Sequence, residues 1–209
     1  MNVNHMRAAT LKLNLPFFGI IASVVLLVIA AARYPGGTTF THHTAGFDWT
    51  HNFISALFLP NALNGAANPT RYLAGSAMLA FCLSLGYAFW RISRTTESAR
   101  HRKLIEIGGV GSMVYALLAV TPMHNLMVDI ALLFYLAAMC GMMHGIFIER
   151  AMRLFITGAI CNTLLLLSAV IYYGNVLYWL LPGLQKLTYA GCSGWILAVY
   201  YNKDRASLA

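Results

Sequence analysis

Residues 126–148, LMVDIALLFYLAAMCGMMHGIFI, decide the class of this chain. The stretch holds one acid, Asp129, one imidazole, His144, and no lysine or arginine. At 1.5 Å of rise per residue it spans roughly 34 Å as a helix, and a hydrocarbon core of about 30 Å needs roughly 20 mostly apolar residues. It reads as a transmembrane helix. Working outward, the windows 16–32, 71–90, 104–120, 154–174 and 183–201 meet the same description.

The whole chain agrees with that reading. Of 209 residues, 59% are hydrophobic and 10% charged, against about 25% charged in a soluble domain. This excludes a soluble enzyme, a collagen-like chain and a disordered tail. The fold expected is all-α: a polytopic six-helix transmembrane bundle forming one integral membrane domain over residues 1–209. The net charge of +8 does not indicate nucleic acid, because the basic residues lie between the apolar runs, and no nucleic-acid partner is expected.

Those basic residues set the orientation. Arg7 and Lys12 precede the first window; Arg91, Arg94, Arg100, Arg102 and Lys103 join the second to the third; Arg150 and Arg153 join the fourth to the fifth; Lys203 and Arg205 follow the sixth. The opposite side keeps Arg33, Arg71 and Lys186. Excess positive charge stays in the cytoplasm, so both termini are expected there. The apolar stretch of the first window exceeds the roughly 7–15 residues of a signal-peptide core and reads as an uncleaved anchor. Cys82, Cys140, Cys161 and Cys192 all fall inside predicted helices with no CxxC pair, so they read as small buried apolar residues. Gly108 and Ser112 form a small-xxx-small spacing suited to close helix approach.

Polar chemistry gathers on the outer side. In the segment 47–59, FDWTHNFISALFL, Asp48, His51, Asn52 and Ser55 recur at i, i+3, i+4 and i+7, which would line one face of a helix. A short amphipathic outer helix is expected here, its polar face turned over the helix ends. Beyond it, Asn64-Gly65 is a turn signal, and Asn68-Pro69 reads as the N-cap and first residue of the second span. Asn61 could turn toward the same site. Asp129 is the residue hardest to place by packing alone, since a charge at mid-membrane costs at least about 2.5 kcal/mol. It calls for a partner such as Arg71, Lys186 or a histidine. Asn125 lies one turn before it on the same face, and His124 opens the helix at the outer surface.

The Arg-Tyr-Pro-Gly-Gly exit at 33–37, the run Gly-Phe-Asp-Trp-Thr-His-Asn-Phe-Ile-Ser at 46–55, the Asn-Gly and Asn-Pro turns, and Thr-Pro-Met-His at 121–124 together resemble bacterial six-helix membrane proteins of unknown function. Those are distantly similar to the damage-regulated autophagy modulator-like family. The resemblance implies a six-span fold in the bacterial cytoplasmic (inner) membrane with a conspicuous first outer loop, and no established activity. The chain is also similar to the alkaline ceramidase and adiponectin-receptor superfamily in having His51, Ser55, His124 and Asp129. It departs from that superfamily in its six spans, in lacking a late HxxxH pair and in the side on which the residues lie.

Three functional classes follow. The first is a lipid-binding or accessory subunit of a membrane complex, whose partners would be membrane lipids and further membrane subunits or a second copy of the chain. The second is a metal-assisted lipid hydrolase or acyltransferase at the outer leaflet. There His51, His124 and one of Asp129 or Asp48 would hold zinc, the remaining acid of that pair and Ser55 would supply the reacting groups, and Asn52, Asn61 and Asn125 would bind substrate. The third is transport, of copper along the Met- and Cys-bearing fourth helix or of protons through Asp129.

Overall fold

The computed structural model describes the backbone of residues 3–206 and the side chains of 14–203. Arg7, Lys12 and Arg205 of the basic rim lie outside the described side chains. Among the described residues the chain forms six long helices and no strand: α1 (Val3–Ala32), α2 (Arg71–Arg94), α3 (Ala99–Leu118), α4 (His124–Ile148), α5 (Met152–Gly174) and α6 (Leu181–Ala206). Two short 3-10 helices, Ile54–Phe58 and Tyr178–Leu180, sit in the connections.

Four of the long helices carry stretches long and apolar enough to cross a membrane: Asn14–Ala32, Arg71–Arg94, His124–Ile148 and Met152–Gly174. The other two are less apolar in sequence: α3 opens with Arg100, Arg102, Lys103 and Glu106, and the first half of α6 carries Gln185, Lys186 and several small residues. In α3 the buried residues are Ile105, Gly108, Gly109, Ser112 and Met113, so its small side chains face neighbours rather than the outside. A Cβ on Gly108 would stand 2.7 Å from the Phe134 carbonyl oxygen and 2.8 Å from the Ala138 amide nitrogen. The Gly108–Ser112 spacing therefore serves contact between α3 and α4 within the bundle.

Helices α1, α2, α3 and α4 pack in succession, while α5 pairs with α6 and α6 returns to α2. The main core joins α2, α3, α4 and α6 through Leu85, Phe89, Ile92, Ile105, Tyr135, Ala138, Met142, Ile146, Trp195 and Ile196. A second cluster, Ala30, Ala31, Tyr34, Ala56, Leu57, Ala62 and Ala74, closes the end of the bundle that carries residues 33–70. Cys82, Cys161 and Cys192 are buried as expected, but Cys140 is exposed on the surface of α4.

Helices α4 and α5 meet closely only at one end. The three-residue connection 149–151 joins them there, Gly158 packs against Trp195 and Met143, and the Trp195 indole N–H donates to the Leu154 carbonyl at 2.8 Å. Lys203 also pairs with Glu149 at that end. Toward the other end the two helices diverge, and a cavity opens between them.

Candidate functional site

The segment 33–70 caps that cavity, and its stretch 47–59 is not the continuous amphipathic helix that the spacing predicts. Asp48 begins a turn instead: its carboxylate accepts from the Thr50 amide at 2.8 Å and the His51 amide at 3.2 Å. A side chain that captures nearby amides competes with helical pairing. The Asn52 amide reaches back to the Asp48 carbonyl at 2.8 Å, and helical geometry appears only at Ile54–Phe58. The four residues at i, i+3, i+4 and i+7 consequently do not share a face.

Each polar side chain then takes a separate post. The Thr50 hydroxyl donates to Asp48 at 2.6 Å and the His51 Nδ1–H donates to it at 2.8 Å. These bonds, the Thr50 hydroxyl foremost, hold the Asp48 carboxyl well below its ordinary value of 3.8 against a smaller upward push from burial. Asn52 is fully buried; its amide donates to the Gly37 carbonyl at 2.8 Å and its oxygen accepts from the Asp48 amide at 2.8 Å. Gly37 has φ +83°, and a Cβ there would meet the Asn64 amide nitrogen at 2.3 Å, so the close approach requires glycine.

Asn68 is not the N-cap of α2, a position held by Thr70. It is buried, donates to the carbonyls of Leu57 and Leu59 at 3.0 and 2.9 Å, and accepts from the Thr70 amide and hydroxyl. Asn61 is exposed, in an isolated bridge with Ala67. The Tyr34 hydroxyl accepts from the Leu63 amide at 2.9 Å, and burial raises its pKa. Two bonds from α6 fasten the segment to the bundle. Lys186 donates to the Asn52 carbonyl at 2.6 Å, and the Gln185 side-chain oxygen accepts from the Ile54 amide at 3.0 Å.

Beneath this cap lies a cavity of about 520 Å³ between α2, α3, α4, α5 and α6. Its deeper lining is mainly apolar, with Met78, Phe81, Leu85, Met113, Leu132 and Ile196, interrupted by Ser112, Tyr135 and Thr188. Ser55, His124, Asn125 and Asp129 line its upper part, together with Tyr172, Tyr173 and Tyr178. So the structure brings together Ser55, His124, Asn125 and Asp129 of the expected site. Asp48, His51, Asn52 and Asn61 do not line the cavity.

The partner of Asp129 is neither Arg71, Lys186 nor a histidine. Tyr173, from α5, donates its hydroxyl to the Asp129 carboxylate across the gap, while the Arg71 guanidinium lies over the Tyr72 ring. The His124 Nδ1–H donates to the Ala119 carbonyl at 2.6 Å; a carbonyl only accepts, so in the neutral ring Nε2 is the acceptor. Deeper down, the buried Tyr135 hydroxyl faces the Cys192 thiol.

No group of three or more His, Cys, Asp or Glu that could hold a metal occurs among the described residues. The expected zinc set of His51 and His124 with Asp129 or Asp48 is therefore not assembled: His51 and Asp48 pair with each other outside the cavity that His124 and Asp129 line. Soft ligands for copper fare no better, with Cys140 exposed on the helix surface and Met139 and Met142 buried in the core.

The tyrosines were the cavity-lining residues least visible in the sequence. Tyr172, Tyr173 and Tyr178 bracket the end of α5 and the loop after it, a pattern that reads as an interfacial aromatic belt. Their rings run in sequence along one wall, Tyr173 to Tyr172 at 5.1 Å between centroids, Tyr172 to Tyr178 at 6.4 Å, and Tyr178 to Phe53 at 5.8 Å. Burial pushes the Tyr178 phenol above its ordinary value, so the ring stays neutral.

No protein-family model, no curated protein and no solved structure matches the chain.

Proposed function

We propose that this integral membrane protein binds an amphiphilic small molecule or lipid in the cavity between α4 and α5, without catalysing a reaction on it. The observation that carries this reading is the cavity's mixed lining, apolar over most of its surface, with Asp129, His124, Asn125 and three tyrosines gathered toward the cap. Its volume of about 520 Å³ falls within the roughly 300–1,000 Å³ of small-molecule sites, which pair an apolar lining with a few placed polar groups. The divergence of α4 from α5 would let such a molecule enter sideways from the bilayer.

The distribution of basic residues supports a placement with both termini in the cytoplasm of a bacterial cell and the cap on the outer face. All six helices would then span, including α3 and α6. A role as an accessory subunit that presents the bound molecule to a larger membrane complex fits the absence of a reacting constellation in the cavity. The metal-assisted hydrolase loses its support with the dispersal of the zinc ligands, and Ser55 lacks a described base at hydrogen-bond distance.

The test is native mass spectrometry of the protein released from membranes in a mild nonionic detergent. A retained adduct in the wild type, lost in Ala169→Phe and Ala116→Phe, is the expected result, because both alanines line the cavity and the larger rings fill it. An adduct-free wild type, or adducts that survive both substitutions in folded protein, would end the proposal.

A further inference from the structure

The cavity's charge distribution says what kind of head group belongs in it, an argument that rests on the amphiphile-binding reading above. Among the described residues lining the cavity there is one acid, Asp129, and no lysine or arginine. Lys186 is the nearest candidate counter-charge on α6, but it is spent on the carbonyls of Asn52 and Pro182, at 2.6 and 2.8 Å. Arg71 is committed to the ring of Tyr72, 4.6 Å from its centroid. The carboxylate is thus answered by one phenol, Tyr173, which donates a hydrogen bond but brings no positive charge.

A charged acid at membrane depth is costly unless paired, and one neutral donor leaves most of that cost standing. The groups around it are suited to a cation rather than to a second donor. Tyr173, Tyr172, Tyr178 and Phe53 form a continuous aromatic wall, and ring faces attract ammonium groups within about 6 Å of their centroids. An aromatic wall beside a lone carboxylate is the chemistry by which quaternary and primary ammonium groups are held. An anionic head group would meet the opposite: repulsion from Asp129 and from the negative ring faces. His124 also lines the cavity, with its Nδ1 bonded to the Ala119 carbonyl at 2.6 Å.

We infer that the cavity selects a cationic amphiphile, its ammonium head set between Asp129 and the Tyr172–Tyr173–Tyr178 wall and its hydrocarbon chain running down between Leu132, Met113 and Ile196. The mainly apolar deeper lining makes the chain part of the ligand, which separates this site from one for a free soluble amine.

The experiment uses the full chain in dodecyl maltoside micelles and follows unfolding temperature against added surfactant at matched micellar mole fraction. The added probes share a twelve-carbon chain and differ in the head: dodecyltrimethylammonium, neutral dodecanol and anionic dodecanoate. Tetramethylammonium chloride is the arm without a chain. Stabilisation by a ligand follows its occupancy, so apparent affinities rank directly. The expected result is dodecyltrimethylammonium about tenfold or more tighter than dodecanol, with dodecanoate weakest and tetramethylammonium without effect. Asp129→Asn brings the cation and dodecanol to within about twofold of each other. Tyr172→Leu, which keeps the carboxylate, weakens the cation alone by about three- to fivefold and serves if Asp129→Asn does not fold, in line with the loss of one ring contact.

Equal binding of the three head groups, or tighter binding of dodecanoate, would overturn the inference while leaving an amphiphile cavity, shown by loss of dodecanol binding in Ala169→Phe. A cation preference unchanged in both variants would overturn it as well. Tetramethylammonium binding as tightly as the long-chain probe would overturn the amphiphile part. Binding of none of the twelve-carbon probes would remove the parent reading too.

Discussion

The hydroxyl of Tyr173, near the last turn of α5, donates to the carboxylate of Asp129, in the second turn of α4, and this bond crosses the gap where the two helices have parted. A hydrogen bond to a charged group is worth about 1.5–3 kcal/mol when well buried. Tyr173 is 62% exposed, which cuts that figure to about 1 kcal/mol. A double-mutant cycle with Tyr173→Phe and Asp129→Asn, read by reversible unfolding in detergent, should return a coupling of about that size. Additive single effects would mean that the two side chains act independently.

Asn52 and Asn61 both stand out in the sequence, and the structure separates their weights. Asn52→Ala orphans the Gly37 carbonyl and the Asp48 amide in a fully buried place, at about 1–3 kcal/mol for each group. Asn61→Ala removes an exposed side chain and should change stability by less than about 0.5 kcal/mol. Hydrogen exchange over residues 33–70 should rise sharply in the first variant and stay at the wild-type level in the second.

Acid should loosen the same segment. The Asp48 carboxyl is held below its ordinary value of 3.8, so the folded turn favours the charged form. Its contribution is complete above that value and is lost as pH falls below it toward the folded-state value. Fluorescence of Trp49, which lies edge-on to Phe47 at 5.0 Å, should report a transition below about pH 4. Asp48→Asn should remove the transition, and its survival in that variant would assign it elsewhere.

Two glycine substitutions should move stability in opposite directions. Gly108→Ala forces a methyl against the backbone of α4 at 2.7 Å and should cost about 1–3 kcal/mol. Gly75→Ala, in α2 with nothing within 4 Å of the added carbon, should stabilise by up to about 1 kcal/mol through helix propensity. Thermal unfolding of both in one detergent decides the matter.

The helices were legible because hydropathy and length are properties of contiguous residues. The window 126–148 became α4 (His124–Ile148) with its ends shifted by two residues or fewer. Asp129 was legible for the same reason, as one charge inside an apolar run. The turn at Asp48 was not, because the spacing of Asp48, His51, Asn52 and Ser55 fits a helix and only the competition between side-chain and backbone acceptors decides against it. The partner of Asp129 was out of reach as well. Tyr173 lies 44 residues away, and its meeting with Asp129 depends on how far α5 leans from α4, which no local pattern encodes.

The fastening of the cap to α6 bears on how the protein is made. The amide of Ile54 and the carbonyl of Asn52 find their partners 131 and 134 residues later in the chain. At synthesis rates of roughly 5–20 residues per second, that interval lasts on the order of ten seconds. During it the segment 33–70 has been synthesised while its anchors on α6 are still unmade. The chamber under it is thus enclosed only once the sixth helix is in place, and an amphiphile present during biogenesis could be taken up before the chamber closes over it.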